Sequence, residues 1–356
     1  MTADAKNPAD YLVLGAGLAG LAFAREVATA GKSVCVLEAE DVIGGRTATW
    51  EWRTGPFTAR VDIGAQYFTA RGKRLEALAA AGIDAGWLRV WSRGFPLWRQ
   101  GRIEPRAEGH PRFAPPDGMQ ELARQLLAPG VNIWLGKIAV SATWSPGFRL
   151  WQVLCSDGTS FVGRALIGAL PPAILSSFLN AIAGKRNPTL SLMHKPAFDP
   201  AWTLMLRLTR DLEADWTAVE FEGHAVLGWV ARDHTKRPAA GPPILVVHAT
   251  GTWSRAHAAD TPEAAQASLI AAVQQVLGPL EIADVATRLW RYAKPTVFCP
   301  GTFSYDTSIK LGACGDWFEN GAPIHGGKVE AAAQSGWKLA ECCLAFYENL
   351  TPDSFL

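Results

Sequence analysis

Two short apolar runs, Tyr11–Leu14 and Ser33–Leu37, bracket a stretch that opens on glycines at 15, 17 and 20. Apolar runs of this length bounded by glycine read as buried strands, so residues 9–38 predict a strand–helix–strand unit. Val61–Phe68 predicts a short strand and a glycine turn at Gly64, and Arg71–Ala81 a helix ended by Gly82. Residues 87–116, rich in Trp, Arg, Gly and Pro, predict strands and loops; Gly118–Leu127 predicts a helix. Val131–Trp134, Trp151–Leu154, Ser160–Val162 and Ala165–Ala169 predict a run of strands, and the turn Ser156-Asp-Gly-Thr159 makes 151–162 a hairpin. A helix is expected from Pro172 to about Ala183, then strands and proline-rich loops over 190–260. Thr261 and Pro262 open a helix that Gly278 ends. Strands near 285–292 and 309–314 and a helix from Val329 to about Leu350 complete the chain.

The glycine spacing carries chemistry. Gly15 permits a tight turn out of the first strand, Gly17 lets the backbone approach a pyrophosphate, and Gly20 lets the helix pack close to the strand. The helix start, including Ala19, aims N–H groups and partial positive charge at the phosphates. Glu38 ends the second strand, where a carboxylate accepts from ribose hydroxyls and repels a 2′-phosphate. A glycine-rich helix start with no ligand has the same three glycines but does not call for the second strand and its acid.

Composition narrows the classes. The net charge of +1 in 356 residues argues against nucleic acid as a partner. None of the six cysteines forms a C-x-x-C pair and no histidine clusters near them, so neither a metal site nor a redox dithiol is indicated. No segment reads as a signal peptide or a membrane span, and a reducing cytoplasm is the expected location. The fifteen tryptophans read mostly as packing.

Two further segments select the dinucleotide. Gly44-Gly45-Arg46 follows the acid; similar turns in amine-oxidase-like flavoproteins pass over the FAD pyrophosphate, where an arginine fork matches phosphate oxygens. A surface turn with a solvated arginine is the alternative. Gly315-Asp316 ends a late strand and a helix restarts near Val329 and Glu330. There Asp316 can accept from ribityl hydroxyls and the helix start can face the flavin pyrimidine edge.

Along nearly its whole length the chain resembles the renalase family of FAD oxidases, within the amine-oxidase-like flavoproteins. The resemblance rests on Asp62-Ile-Gly-Ala-Gln-Tyr-Phe-Thr-Ala-Arg71, Asp199-Pro-Ala-Trp202, Trp229-Val-Ala-Arg232, His248-Ala-Thr-Gly-Thr-Trp-Ser-Arg255, Trp290-Arg-Tyr-Ala-Lys-Pro295 and Gly315-Asp-Trp317. It implies an α/β architecture: a discontinuous Rossmann-type FAD-binding domain (1–68, 118–170, 296–356) and an α+β substrate domain on a mixed sheet (69–117, 171–295). It implies FAD, without an indicated covalent link, held by Gly15, Gly17, Gly20, Glu38, Arg46, Gly64, Ala65, Asp316, Val329 and Glu330. Ala19, Gly45, Gln66, Ile138 and Gly315 join them as candidates. The implied reaction takes hydride from the 2- and 6-dihydro isomers of NAD(P)H onto flavin N5 and passes the electrons to dioxygen, giving hydrogen peroxide. Two departures bear on the substrate: the loop Phe318–Lys328 is longer than in the family, and Ala331 stands where the family has glycine.

A dihydronicotinamide needs no catalytic base, because loss of hydride restores an aromatic ring. Tyr67, His248, Trp290 and Tyr292, with Gln66, are the candidate pocket residues. His248 reads either as a carboxamide partner or as a strand histidine with satisfied nitrogens, and Trp290 either as packing or as a stacking wall. The competing readings are an amine oxidase (or a dehydrogenase of another small cyclic donor) and a non-catalytic flavin-binding partner. The expected partners are a small-molecule hydride donor and dioxygen, with neither nucleic acid nor membrane.

Overall fold

A computed structural model describes residues 7–179, 192–238 and 241–348. The chain divides into two compact units, Met1–Gly45 with Leu122–Ala197 and Pro295–Leu356, and Arg46–Glu121 with Phe198–Lys294. The expected boundary at 68/69 lies inside the second unit. The reason is the unpredicted hairpin of strands Thr49–Thr54 and Phe57–Asp62, whose Trp52 and Val61 pack with Met205 and Val246.

The first unit is built on one sheet of eight described strands. Ala9–Leu14 lies parallel between Ser160–Gly168 and Val34–Leu37, and Val131–Trp134 extends the sheet beside Val34–Leu37. Tyr11–Leu14 and Val34–Leu37 are buried on both faces, which is why they read as unbroken apolar runs, whereas Val131–Trp134 at the sheet edge is only partly buried. Leu311–Ala313 pairs in parallel with Leu166–Gly168, so strands from the two ends of the chain share one sheet. The helix Leu18–Thr29 crosses over between the first two strands, and Val329–Glu348 packs on it so closely that a Cβ on Gly336 would stand 2.1 Å from the Ala19 carbonyl oxygen. The predicted strands 160–162 and 165–169 are one strand, and Ala139–Ser145 forms a hairpin with Leu150–Cys155 that was not expected.

The second unit is built on a mixed seven-stranded sheet in the order Ile282–Val297, Ala197–Leu208, Ile244–Ala249, Leu227–Arg232, Ala218–Phe221, Leu97–Arg99, Arg102–Glu104. Alternation sets its two faces. Leu204, Leu206, Leu245 and Val247 pack with Leu269 and Val273 of the helix Pro262–Leu277; Met205, Ile244 and Val246 pack with Trp52, Val61 and Ile63. Thr261 caps that helix through Ala264 N–H and Gly278 follows it, as read from the sequence.

Other helices end elsewhere. Lys73–Asp84 runs through Gly82, where a Cβ would stand 2.6 Å from the Trp87 ring, so this glycine serves packing and the helix ends before Gly86, whose φ is +78°. Gly118–Leu127 shortens to the helix Gln120–Arg124, because Gly118 has a φ of +97°. Residues 180–183 and 349–350 of the predicted helices lie outside the described residues.

Candidate functional site

The first unit carries a glycine cradle. Gly15 has a φ of +100°, and a Cβ there would stand 2.8 Å from the Ala169 carbonyl oxygen. A Cβ on Gly20 would stand 2.0 Å from the Gly15 carbonyl oxygen. The chain itself requires these two glycines. Gly17 is different: its φ of −74° suits any residue, and a Cβ would meet nothing within 4 Å. Its missing side chain leaves open space at the N-cap of Leu18–Thr29, where no side chain caps the helix start. A phosphate is the group such a helix start receives.

The Gly44-Gly45 turn lies against this loop. Gly44 N–H donates to the Ala16 carbonyl at 2.8 Å, and a Cβ on Gly45 would stand 3.5 Å from Gly17 Cα. Glu38 is 7 % exposed; it accepts from Ala16 N–H at 2.7 Å and Glu40 N–H at 3.0 Å. Burial pushes its carboxyl up against the opposing pull of these bonds. Carboxylate oxygens bonded this way keep lone pairs for ribose hydroxyls. Ile138 is half exposed, and its carbonyl accepts from Ser156 N–H at 2.8 Å. These residues fit the adenosine diphosphate end of a dinucleotide.

At the same carboxyl-terminal edge of this sheet, where Leu14, Gly168 and Ala313 lie in register, Gly315 N–H donates to Ser335 Oγ at 2.9 Å, and Asp316 is buried. Val329 opens the last helix with buried Glu330 in its first turn. The long 318–328 loop is pinned: Glu319 N–H donates to Cys299 O at 2.9 Å, Asn320 N–H to Gly301 O at 3.0 Å, and Gly327 N–H to Asp316 O at 2.7 Å.

The second unit carries the remaining candidates. Arg46 is held by its neighbours: Ala65 N–H donates to its carbonyl at 2.8 Å, and a Cβ on Gly64 would stand 2.1 Å from that oxygen. Arg46 Nη1 donates to the Ala293 carbonyl at 3.0 Å. The Ile63 carbonyl accepts from Trp290 Nε1 at 3.0 Å and Thr203 Oγ1 at 3.2 Å. Trp290 is therefore anchored by its ring nitrogen, with Arg288 over its ring at 4.4 Å.

His248 pairs across the sheet with Thr203 and Trp229, and its Nε2 is buried without a hydrogen-bond partner. Burial, then the Lys236 ammonium, push its imidazole down to about 4. The half-exposed Tyr67 ring rests on Phe95 at 5.1 Å and Trp229 at 5.8 Å. Burial, then Glu220, raise its phenol. Tyr67, His248 and Trp290 are thus linked through Trp229 and Ile63, while Gln66 bonds the Asp62 and Gly64 carbonyls. Tyr292 instead meets the Phe198 ring edge-on at 5.9 Å.

The sequence reading missed the ionic centre beneath these residues. Lys236 is wholly buried and donates to Asp62 Oδ2 at 3.0 Å, Gln66 Oε1 at 3.0 Å and Asp233 Oδ1 at 2.8 Å. Arg237 pairs with Asp233 at 2.7 Å and Asp62 at 3.5 Å. Burial alone would raise the Asp62 carboxyl; Lys236 and Arg237 outweigh it and hold the group below the carboxylate range. The only sequence signal was an acid and two bases three and four residues apart, which usually marks a solvated face. Among the described residues no group of His, Cys, Asp and Glu is arranged to hold a metal ion, and no helix is long and apolar enough to cross a membrane.

Residues 13–81 match the NAD(P)-binding Rossmann-like domain family. The chain is 44 % identical over 84 residues to putrescine oxidase from Kocuria rosea, covering 24 % of this chain and 16 % of that one. It is 46 % identical over 52 residues to a 15-cis-phytoene desaturase of an Oncidium hybrid cultivar, covering 15 % of this chain and 9 % of that one. These matches span less than a fifth of either relative. In three dimensions it resembles cyclohexylamine oxidase from Brevibacterium oxydans at a TM-score of 0.67, with 14 % identity and coverage of 96 % of this chain and 100 % of that one. The fold is that of the amine-oxidase-like flavoproteins.

Proposed function

We propose that the chain is an FAD-dependent oxidoreductase that takes hydride from a 2- or 6-dihydro isomer of NAD(P)H and uses dioxygen as electron acceptor, releasing the oxidised nicotinamide dinucleotide and hydrogen peroxide. The observation that carries the cofactor is Gly17, a glycine that neither backbone angle nor packing requires, placed at an uncapped helix start. Bound flavin would supply a two-electron acceptor that dioxygen can reoxidise.

The protein's part is binding and orientation. The Leu18–Thr29 helix start receives phosphate and Glu38 accepts from ribose hydroxyls. Arg46, its guanidinium held by the Ala293 carbonyl, adds a placed positive charge. Asp316, Val329 and Glu330 are assigned to the flavin end, and Gly45, Gly64, Ala65 and Ile138 to backbone contacts. Tyr67 offers a flat wall backed by Phe95 and Trp229, and His248 a neutral imidazole to a polar group of the donor. A donor that becomes aromatic on losing hydride needs no base. Accordingly Asp62, held below the usual carboxylate range by Lys236 and Arg237, is not set up to take a proton.

The second reading, oxidation of an amine, is favoured by the local identity to putrescine oxidase. Anaerobic mixing separates the two. Rapid bleaching of the flavin by 2- or 6-dihydro-NAD, with no response to putrescine or cyclohexylamine, is expected. Bleaching by amines alone would replace this reading with the second. A flavoprotein that none of these reduces would point to non-catalytic flavin binding. Denaturation is expected to release intact FAD.

A further inference from the structure

We propose that Lys236 is a positioning residue of the second unit, through which a sealed ion cluster orients Gln66 and acts on the His248 ring that would meet a polar group of the donor. The role assigned to His248 rests on the function proposed above; the electrostatic relation between the two residues does not.

An ammonium has three N–H donors and no acceptor. All three of Lys236 are used, on Asp62, Gln66 and Asp233. Lys236 therefore has no lone pair or free donor to offer a substrate and acts through its neighbours. Its first effect is geometric. Because Lys236 can only donate, Gln66 must turn Oε1 toward it. That leaves Gln66 Nε2 to donate to the Asp62 carbonyl and to the Gly64 carbonyl at 3.2 Å. Asp62 is tied further by Thr49 Oγ1 at 2.7 Å and Met119 N–H at 2.8 Å. The turn that carries Gly64, Ala65 and Tyr67 is thus set from a residue 170 positions away from Gln66.

The second effect is electrostatic. Trp91 covers Lys236, its ring centroid 4.9 Å from Nζ, while Trp91 Nε1 donates to Thr235 Oγ1 at 2.9 Å. Sealed from water, the charge acts on its surroundings at reduced dielectric. The groups facing His248 come from four directions. The neighbouring strands bring Thr203 and Trp229. The 62–66 turn brings the Ile63 carbonyl, whose bond with the ring opposes the influences of burial and Lys236. The turn Asp233–Lys236 brings Lys236, with Asp233 and Arg237 behind it. The strand Ile282–Val297 brings Trp290, with Arg288 stacked on it. Burial is the largest influence disfavouring imidazolium, and Lys236 is the charge that adds to it. A neutral ring can present Nε2 as donor or acceptor according to its tautomer. A buried imidazolium with that atom unpartnered would be far more costly.

The test is an NMR titration of the His248 ring in the flavin-loaded protein, in the parent, in Lys236→Met and in Lys236→Met/Asp233→Asn. The double variant keeps the cluster charge-balanced should the single one not fold. In the parent, His248 is expected to stay neutral until the pH approaches about 4. In either folded variant the midpoint should rise by about one pH unit or more, a tenfold gain in proton affinity. Lys236→Arg, which keeps the charge, should hold the midpoint near the parent's. A parent midpoint near the ordinary histidine value, or a folded variant lacking Lys236 that titrates like the parent, would overturn the proposal. A purely structural lysine would leave the midpoint in place. The titration needs no donor, so failure of every dihydronicotinamide to bleach the flavin would defeat the functional reading while leaving this result standing.

Discussion

Lys236 Nζ lies 3.0 Å from Gln66 Oε1, joining two buried side chains 170 residues apart in the sequence. The same ammonium is shared by Asp62 and Asp233, so the cluster of two acids and two bases is charge-balanced with Arg237. Such a cluster costs desolvation to assemble, and it costs more to break by removing one partner.

Lys236→Met should therefore lose about 3–5 kcal/mol of stability, the range for stranding a buried charge. Lys236→Met/Asp233→Asn should lose less, because one stranded carboxylate becomes neutral. Urea denaturation of the two variants reads the difference; a single variant as stable as the double would contradict a paired cluster.

The glycine loop separates a ligand role from a packing role. Gly17→Ala should change stability by no more than about 0.5 kcal/mol, since its backbone angle is ordinary and its Cβ would be unopposed. It should nonetheless weaken FAD binding, measured by flavin fluorescence on titration. Gly20→Ala should destabilise the first unit itself, since its Cβ would fall on the Gly15 carbonyl. Equal flavin affinity in Gly17→Ala and the parent would remove Gly17 from the phosphate site.

His248 links stability to pH. Burial and the Lys236 ammonium push its folded-state imidazole from the ordinary 6.5 down to about 4, so between these values the unfolded chain binds more protons. The stability it contributes is complete above about pH 6.5 and is lost as the pH falls toward 4, on the order of 3 kcal/mol in all. His248→Gln should flatten that part of the profile. Thermal melts of both proteins from pH 7 to 4 check this, and parallel profiles would count against a depressed imidazole.

Tyr67→Phe and His248→Ala should each slow flavin reduction by dihydro-NAD without loss of bound flavin. The loss of one neutral hydrogen bond, about 0.5–1.5 kcal/mol, corresponds to roughly 2- to 10-fold in rate if it is made in the transition state. Stopped-flow reduction at saturating donor measures it. Rates indistinguishable from the parent would exclude the residue from the donor site.

Several parts of the fold could be read directly because their signals are local. Thr261, Pro262 and Gly278 frame their helix with side-chain cap, first-turn proline and stop, all within the residues concerned. Gly82 misled because its lack of a side chain serves Trp87 rather than the helix end. The Thr49–Asp62 hairpin was missed although Trp50 and Trp52 alternate with Glu51 and Arg53, and Phe57, Ala59 and Val61 with Thr58, Arg60 and Asp62; which of these face the core depends on contacts with Met205 and Val246. Among the site residues, Trp290 was left open between packing and stacking until its ring nitrogen was placed on Ile63.

The sequence by itself determined the strand–helix–strand unit, its glycine loop and the acid at Glu38. These depend on backbone angles, helix starts and apolar runs that operate over a few neighbouring residues. Only the tertiary structure decided that Gly17 is open where Gly15 and Gly20 are crowded. It alone brought Asp62, Asp233, Lys236 and Arg237, which no local pattern joins, into a buried centre beside Gln66. Burial and charge pairing depend on what distant segments bring together, and no local pattern encodes that meeting.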